Sequence, residues 1–277
     1  MERVSKIIPY FKKELSSFVN EREITSLAYL SIEHVLGYNR SDCIVNSDEI
    51  ISVFDFNKIK YIIEELKKLK PIQYILGKTE FYGLKFKINQ HVLIPRPETE
   101  ELVEWILKDK FNTLLDIATG SGCIAISIGS CTSAKITAID LSERAIMLAK
   151  RNAKSNKVEI NFKNQDIFQN SKLPKVDVIV SNPPYVLEKE KKYIKDNVIM
   201  YEPHLALFVP DDTPLLFYDR ISRLATESLN PNGKLFFEIH EKYGKQLYLL
   251  LHNRGFVDIE LKKDINSKDR MIKAIWK

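Results

Sequence analysis

Two hydrophobic periods divide the chain. Up to about Leu76, apolar residues return every three or four positions, as in Ile7, Ile8, Phe11, Leu15 and Phe18 and again in Ile59, Ile62, Ile63, Leu66 and Leu69, which is the spacing of a single buried helix face. This predicts a small helical domain over residues 1–76. Lys67, Lys68 and Lys70 close its last helix, where cations suit the negative end of the dipole, and Pro71 stops it. A solvated helix end accounts for these lysines better than a binding patch does. From Phe81 to Pro97 the period shortens to two, with a break at Gly83, and predicts a β-hairpin linker over residues 77–97. The linker ends in IPRPETE, whose Glu98 or Thr99 is placed to open a helix carrying Leu102, Val103, Trp105 and Ile106. Glu98, Glu100 and Glu101 then read as a surface capping motif.

Beyond Asn112 strands and helices alternate. TLLDIA, a helix through Ile128, KITAID, a helix from Ser142 to Lys154, VEINF and VDVIV follow one another, and GKLFFEI, a helix from Gly244 to Asn253, FVDIEL and MIKAIW complete the series. Repeated β-α-β units need right-handed crossovers and build a mainly parallel sheet covered on both faces. The short connection between the last two strands predicts a terminal antiparallel hairpin. Residues 98–277 are therefore expected to form one α/β domain.

Composition narrows the class. With 277 residues, 44% of them hydrophobic, the chain has material for one large or two modest cores. A formal charge of +5, from 42 basic against 37 acidic residues, fits an acidic or RNA-associated partner without demanding one. Cys43, Cys123 and Cys131 sit neither in C-x-x-C pairs nor beside histidines. Disulfide and zinc spacings are both absent, so reduced thiols, a cytoplasmic location and no metal site are expected. The N-terminus mixes apolar and charged residues and no 18-residue apolar run occurs, which disfavours secretion and membrane insertion.

The candidate chemistry lies at strand ends. In LLDIATGSGCIAISI a glycine turn joins a strand to a helix; Gly120 and Gly122 let a ligand approach the backbone, and the helix start offers free N–H groups. Asp140, at the end of KITAID, can accept both hydroxyls of a ribose, so the pair implies an adenosine cofactor. Two cofactors compete, because Gly120-Ser121-Gly122-Cys123-Ile124-Ala125 also satisfies the dinucleotide pattern G-x-G-x-x-A. S-adenosylmethionine is favoured: it has no pyrophosphate, Asp116 at the first strand end is placed to meet its ammonium group, and a dinucleotide domain has no use for what ends the fourth strand. There VDVIV runs into Ser181-Asn182-Pro183-Pro184-Tyr185. Two prolines stiffen the corner, carbonyls beside them stand as acceptors, and the Asn182 amide is adjacent: a holder for a group with N–H donors. A lone strand-end aspartate is most simply a cap for the next helix, but two of them flanking a glycine turn beside this corner outweigh that account.

ILGKTEFYGLKFKINQHVLIPRPETEELVE, LLDIATGSG, IVSNPPYV, YEPHLAL and KDINSKDRMI together resemble the protein-(glutamine-N5) methyltransferases that act on peptide-chain release factors, from about Pro71 to the C-terminus. The resemblance implies a class I S-adenosylmethionine-dependent methyltransferase fold: Rossmann-like, with a seven-stranded mainly parallel sheet and terminal antiparallel hairpin, plus the helical N-terminal domain. It implies that Asn182, Pro183, Pro184 and Tyr185 grip the target amide, with the Asn182 side-chain oxygen and the Pro183 carbonyl as acceptors. The cofactor is expected on Asp116, Ala118, Thr119, Gly120, Ser121, Gly122, Asp140, Ile167 and Asn182. The target is expected to be the glutamine of an exposed Gly-Gly-Gln loop, with the helical domain recognising the body of the release factor and no nucleic acid or membrane required. Alternatives are a ribosomal protein as glutamine substrate, an N6-adenine methyltransferase sharing N-P-P-Y, and a binding protein without catalysis.

Three departures from the family stand out. Ala118 replaces the first glycine of G-T-G-S-G, a change expected to be mild in a β-region position. Phe208-Val209-Pro210-Asp211-Asp212-Thr213-Pro214 replaces a glycine-rich turn, and His240 stands where E-I-G is typical and is expected to crowd the site edge.

Overall fold

The structure, a computed structural model, describes residues 2–169 and 172–277. They form two compact units: the chain up to Gly77 together with Lys195–Tyr201, and Lys78–Ile194 together with Glu202–Lys277.

The smaller unit is helical: α1 (Val4–Leu15), α2 (Glu21–Leu36), α3 (Arg40–Val45), α4 (Val53–Lys67) and α5 (Ile72–Leu76). The three-and-four period becomes a core of Ile7, Phe11, Leu15, Ile24, Ile32, Ile59 and Ile63. Local chemistry sets the helix ends. Asn20, Asn39 and Ser52 each accept a backbone N–H three residues on, and Gly37 ends α2 with φ 75. Lys67 is held by Glu14 at 2.6 Å and Glu64 at 2.9 Å, and Lys68 and Lys70 both reach Glu65. The three lysines are thus engaged inside the unit.

The larger unit opens with a hairpin, β1 (Lys78–Phe81) and β2 (Leu84–Lys87), followed by α6 (Pro97–Leu107). The hairpin is seated on the α/β body. Phe81 and Phe86 are buried, and Asn152 exchanges hydrogen bonds with Lys87 N and O. Then come β3 (Thr113–Ile117), α7 (Cys123–Cys131), β4 (Lys135–Asp140), α8 (Glu143–Ser155), β5 (Asn161–Asn164), β6 (Val176–Ser181) and β7 (Val186–Leu187). After a 3-10 turn, Glu188–Tyr193, the helix α9 (Asp196–Tyr201) returns to the smaller unit, where the Tyr201 hydroxyl donates to the Lys68 carbonyl at 2.8 Å. The chain ends with β8 (Phe208–Val209), α10 (Leu216–Ser228), β9 (Leu229–Glu238), α11 (Gly244–Asn253), β10 (Val257–Lys263) and β11 (Asp269–Trp276).

Seven strands form one sheet in the order β10-β11-β9-β6-β3-β4-β5. β9, β6, β3, β4 and β5 run parallel, while β11 is antiparallel to both β9 and β10. The near-continuous apolar runs of the central strands follow from burial on both faces. From β3 the order proceeds to β4 on one side and β6 on the other, so a crevice opens at the C-terminal ends of these strands. No helix among the described residues is long and apolar enough to cross a membrane.

Candidate active site

Register assembles the site. Ile117 pairs with both Ile139 and Ser181, so the next residues, Ala118, Asp140 and Asn182, leave three adjacent strands at one level. They line a cleft of about 260 Å³ with Thr119, Gly120 and Ser121, and Ile167, Phe168, Phe217 and Ile221 contribute apolar lining. Pro184 also lines it, whereas Asp116, Gly122, Pro183 and Tyr185 are not among its lining residues.

The glycine turn is built for close approach. Gly120 has φ 56, and Gly122 has φ 82 and caps the start of α7; a Cβ on Gly122 would stand 2.9 Å from Ile126 Cδ1. Ala118 has φ 60, in the left-handed region. The expectation of a mild replacement in a β-region position is therefore corrected: the methyl group sits where glycine is favoured, at a cost of roughly 1–2 kcal/mol. Ala118→Gly is expected to raise stability by about 1 kcal/mol net of the added chain entropy, shifting Tm upward by about 2–4 °C. Thermal unfolding of the two proteins checks it; a lower Tm for the glycine variant would count against strain at this position.

Acidic groups stand at or next to the C-terminal ends of the neighbouring strands β4 and β3. Asp140 Oδ2 accepts from Gly120 N at 2.8 Å and Oδ1 from Ser142 N at 2.9 Å. A carboxylate takes about four hydrogen bonds, so both oxygens retain capacity for a diol. Burial raises its pKa, opposed by those two amides. Asp116 lies fully buried, its Oδ2 accepting from Thr119 Oγ1 at 2.6 Å and its Oδ1 without a partner among the described residues. Burial pushes its carboxyl up to about 7, against the Thr119 bond and with the Asp140 charge adding to the rise. An apolar wall for a base, a carboxylate for a ribose and a turn open to the backbone fit S-adenosylmethionine.

Glu238, at the end of β9, was not anticipated from sequence, although it closes an apolar strand just as Asp116 and Asp140 do. It is buried, and its Oε2 accepts from the Thr99 hydroxyl at 2.6 Å. Thr99 and Glu98 do not open α6 as expected. Pro97 takes the first helical position, since its missing N–H costs nothing there, and Thr99 turns inward. Nor are the neighbouring glutamates surface caps of α6. Glu100 accepts from Tyr82 N, Glu101 from Ile265 N and Glu98 from Asn266 Nδ2, which ties α6 to the β1–β2 turn and the β10–β11 turn.

The YEPHLAL and IPRPETE stretches meet here. Glu202 of YEPHLAL binds Arg96 of IPRPETE at 2.6 Å and also accepts from Ile94 N at 3.0 Å, and Arg96 lines the cleft. The unusual segment 208–214 braces the stretch after N-P-P-Y: β8 pairs with β7, and Asp211 accepts from Lys189 N. His240 is absent from the cleft lining. Its Nε2 lies 3.0 Å from Glu190, its Nδ1 accepts from Lys242 N, and its ring meets Tyr185 edge-on.

Comparison with known proteins is consistent with this geometry. Residues 97–205 match the family model described as the methyltransferase small domain, and residues 10–77 match the PrmC N-terminal domain. The chain is 46% identical to the release factor glutamine methyltransferase of Flavobacterium psychrophilum over 95% of its length and 96% of that protein. It is 41% identical to that of Bacteroides thetaiotaomicron over 98% of its length and 99% of that protein. In fold it is similar to a methyltransferase from Pyrococcus furiosus, with TM-score 0.54, 19% identity and coverage of 79% and 96% of the two chains. It is also similar to the hMettl16 catalytic domain, with TM-score 0.55, 16% identity and coverage of 77% and 81%. With near-complete coverage by such relatives and both family models matched, the chain belongs to the release factor glutamine methyltransferases.

Proposed function

We propose that this enzyme methylates the side-chain amide nitrogen of the glutamine in the Gly-Gly-Gln loop of a peptide-chain release factor, using S-adenosylmethionine. The observation that carries the reading is the common level of Ala118, Asp140 and Asn182, which sets an amide holder against the cofactor turn. When bound, S-adenosylmethionine supplies an electrophilic methyl group on sulfur. An amide nitrogen is a poor nucleophile because its lone pair is delocalised, so the chain's task is alignment. Asn182 Oδ1 and the Pro183 carbonyl accept the two amide hydrogens and Tyr185 flanks the amide plane. The methyl group's bond to sulfur would break as the C–N bond forms, leaving a neutral thioether, and one of those hydrogens then leaves as a proton to water, so no strong base is needed. Glycines beside the target let its backbone approach closely. Nucleic acid and membrane are not required partners in this reading, which places the enzyme in the cytoplasm with its substrate.

Labelled-methyl transfer to an intact release factor, with a ribosomal protein and DNA as competing acceptors, tests the proposal. Label on a release factor glutamine is expected; preferential labelling of either competitor would overturn it. A small loop offers little area for discrimination, and the helical unit, folded around its own core, would supply a second contact with the body of the factor. Deleting residues 1–70 is expected to slow methylation of the intact factor roughly tenfold more than that of a short Gly-Gly-Gln peptide. Cofactor binding reports that the remaining unit is folded. Equal losses on both substrates would remove the helical unit from recognition.

A further inference from the structure

Ser181 pairs with Phe237 across β6 and β9, so Asn182 and Glu238 leave the sheet side by side. Thr99 joins them: its hydroxyl donates to Glu238 Oε2 at 2.6 Å and its oxygen stands 3.5 Å from Asn182 Nδ2. Glu238 is further fixed by the Tyr185 hydroxyl on Oε1 at 3.3 Å and by the Tyr218 hydroxyl on its backbone carbonyl at 3.2 Å.

A hydroxyl has one proton, and its direction decides what Asn182 faces. With the proton on the Glu238 carboxylate side, Thr99 offers Asn182 a lone pair, so the amide turns its NH2 to Thr99 and its oxygen to the cleft. With a neutral Glu238 donating to Thr99, the Thr99 proton would point at Asn182. The amide would then reverse and set its NH2 against the NH2 of the incoming substrate, donor against donor.

We propose that Glu238, acting through Thr99, is a positioning residue that fixes the Asn182 amide with Oδ1 towards the cleft and so selects a substrate group carrying NH2. The identity of that substrate rests on the release factor reading; the chain Asn182–Thr99–Glu238 does not. The polarity requires the carboxylate form. Burial raises the pKa of Glu238, opposed by the Thr99 bond, by the Arg270 guanidinium on β11 and by the Tyr185 hydroxyl, while Glu98 on α6 adds to the rise; Tyr218 faces it from α10. A rate that needs this carboxylate is full above its pKa and lost as pH falls through it. The loss therefore begins at a higher pH than for an exposed glutamate.

The test uses the full-length enzyme with labelled cofactor and a Gly-Gly-Gln peptide. Thr99→Val, close in shape but without the hydroxyl, and Glu238→Gln are each expected to lower kcat roughly ten- to a hundredfold, with cofactor Kd within about twofold of wild type. Thr99→Ser, which restores the hydroxyl, should recover most of the rate. The wild-type kcat should fall on the acid side, and Glu238→Gln should flatten that limb. Wild-type turnover by Thr99→Val, failure of Thr99→Ser to recover, or an acid limb unchanged in Glu238→Gln would each overturn the proposal. If the wild type methylates an adenine amine and no glutamine, the release factor reading fails instead, and the same variants on adenine decide the hydrogen-bond chain separately.

Discussion

Asn182→Ala is expected to reduce methyl transfer by roughly a hundredfold or more while S-adenosylmethionine still binds, because misaligning the nitrogen by about 1 Å costs a factor of that size in proximity alone. Asn182 follows the last residue of β6, and Ser181 is locked by its hydroxyl on the Ile117 carbonyl at 2.7 Å. The backbone at the corner should therefore survive truncation of the neighbouring side chain. What is lost is one acceptor for the substrate amide. Single-turnover rates with cofactor held saturating separate this from a binding defect, and a variant turning over at the wild-type rate would remove Asn182 from the grip.

Asp140→Ala addresses the cofactor instead. The carboxylate lines the cleft and is held from both sides by Gly120 N and Ser142 N. Its removal takes away the acceptor for a ribose and also frees the glycine turn. Loss of a charge-assisted hydrogen bond is worth roughly 1.5–3 kcal/mol, so affinity for S-adenosylmethionine should fall about ten- to a hundredfold. Calorimetry measures this directly. Unchanged binding would displace Asp140 from the cofactor site, and tight binding of NAD by the wild type would displace the cofactor assignment itself.

What could be read from sequence and what could not differ in physical kind. The helical unit was legible because its core residues recur at helical spacing, and the parallel strands because double burial makes their apolar runs continuous. Asn182, Asp140 and the glycine turn were legible because each is a polar or flexible interruption directly after such a run. α10 was not singled out, although Tyr218, Ile221, Leu224 and Ala225 of its buried face carry the same period. Glu238 was missed for a different reason. Its partners arise from the β6–β9 register and from the inward turn of Thr99 on α6, and no local pattern announces a contact between residues 139 positions apart. Likewise, nothing in the identity of Ala118 reveals a positive φ, which is imposed by the turn around it.

The return of α9 to the helical unit bears on how the protein is made. That unit takes most of its chain from residues up to Gly77 but its last element from Lys195–Tyr201. On a ribosome emitting the chain from its N-terminus, the first five helices emerge early and must wait while β1 to β7 are synthesised. At about 5–20 residues per second, the gap from residue 77 to 195 lasts roughly 6 to 24 seconds. The helical unit is thus finished only when the parallel core and the N-P-P-Y corner have already been translated. The addition of its last helix is a late, long-range event in folding, separated in time from the formation of α1 to α5.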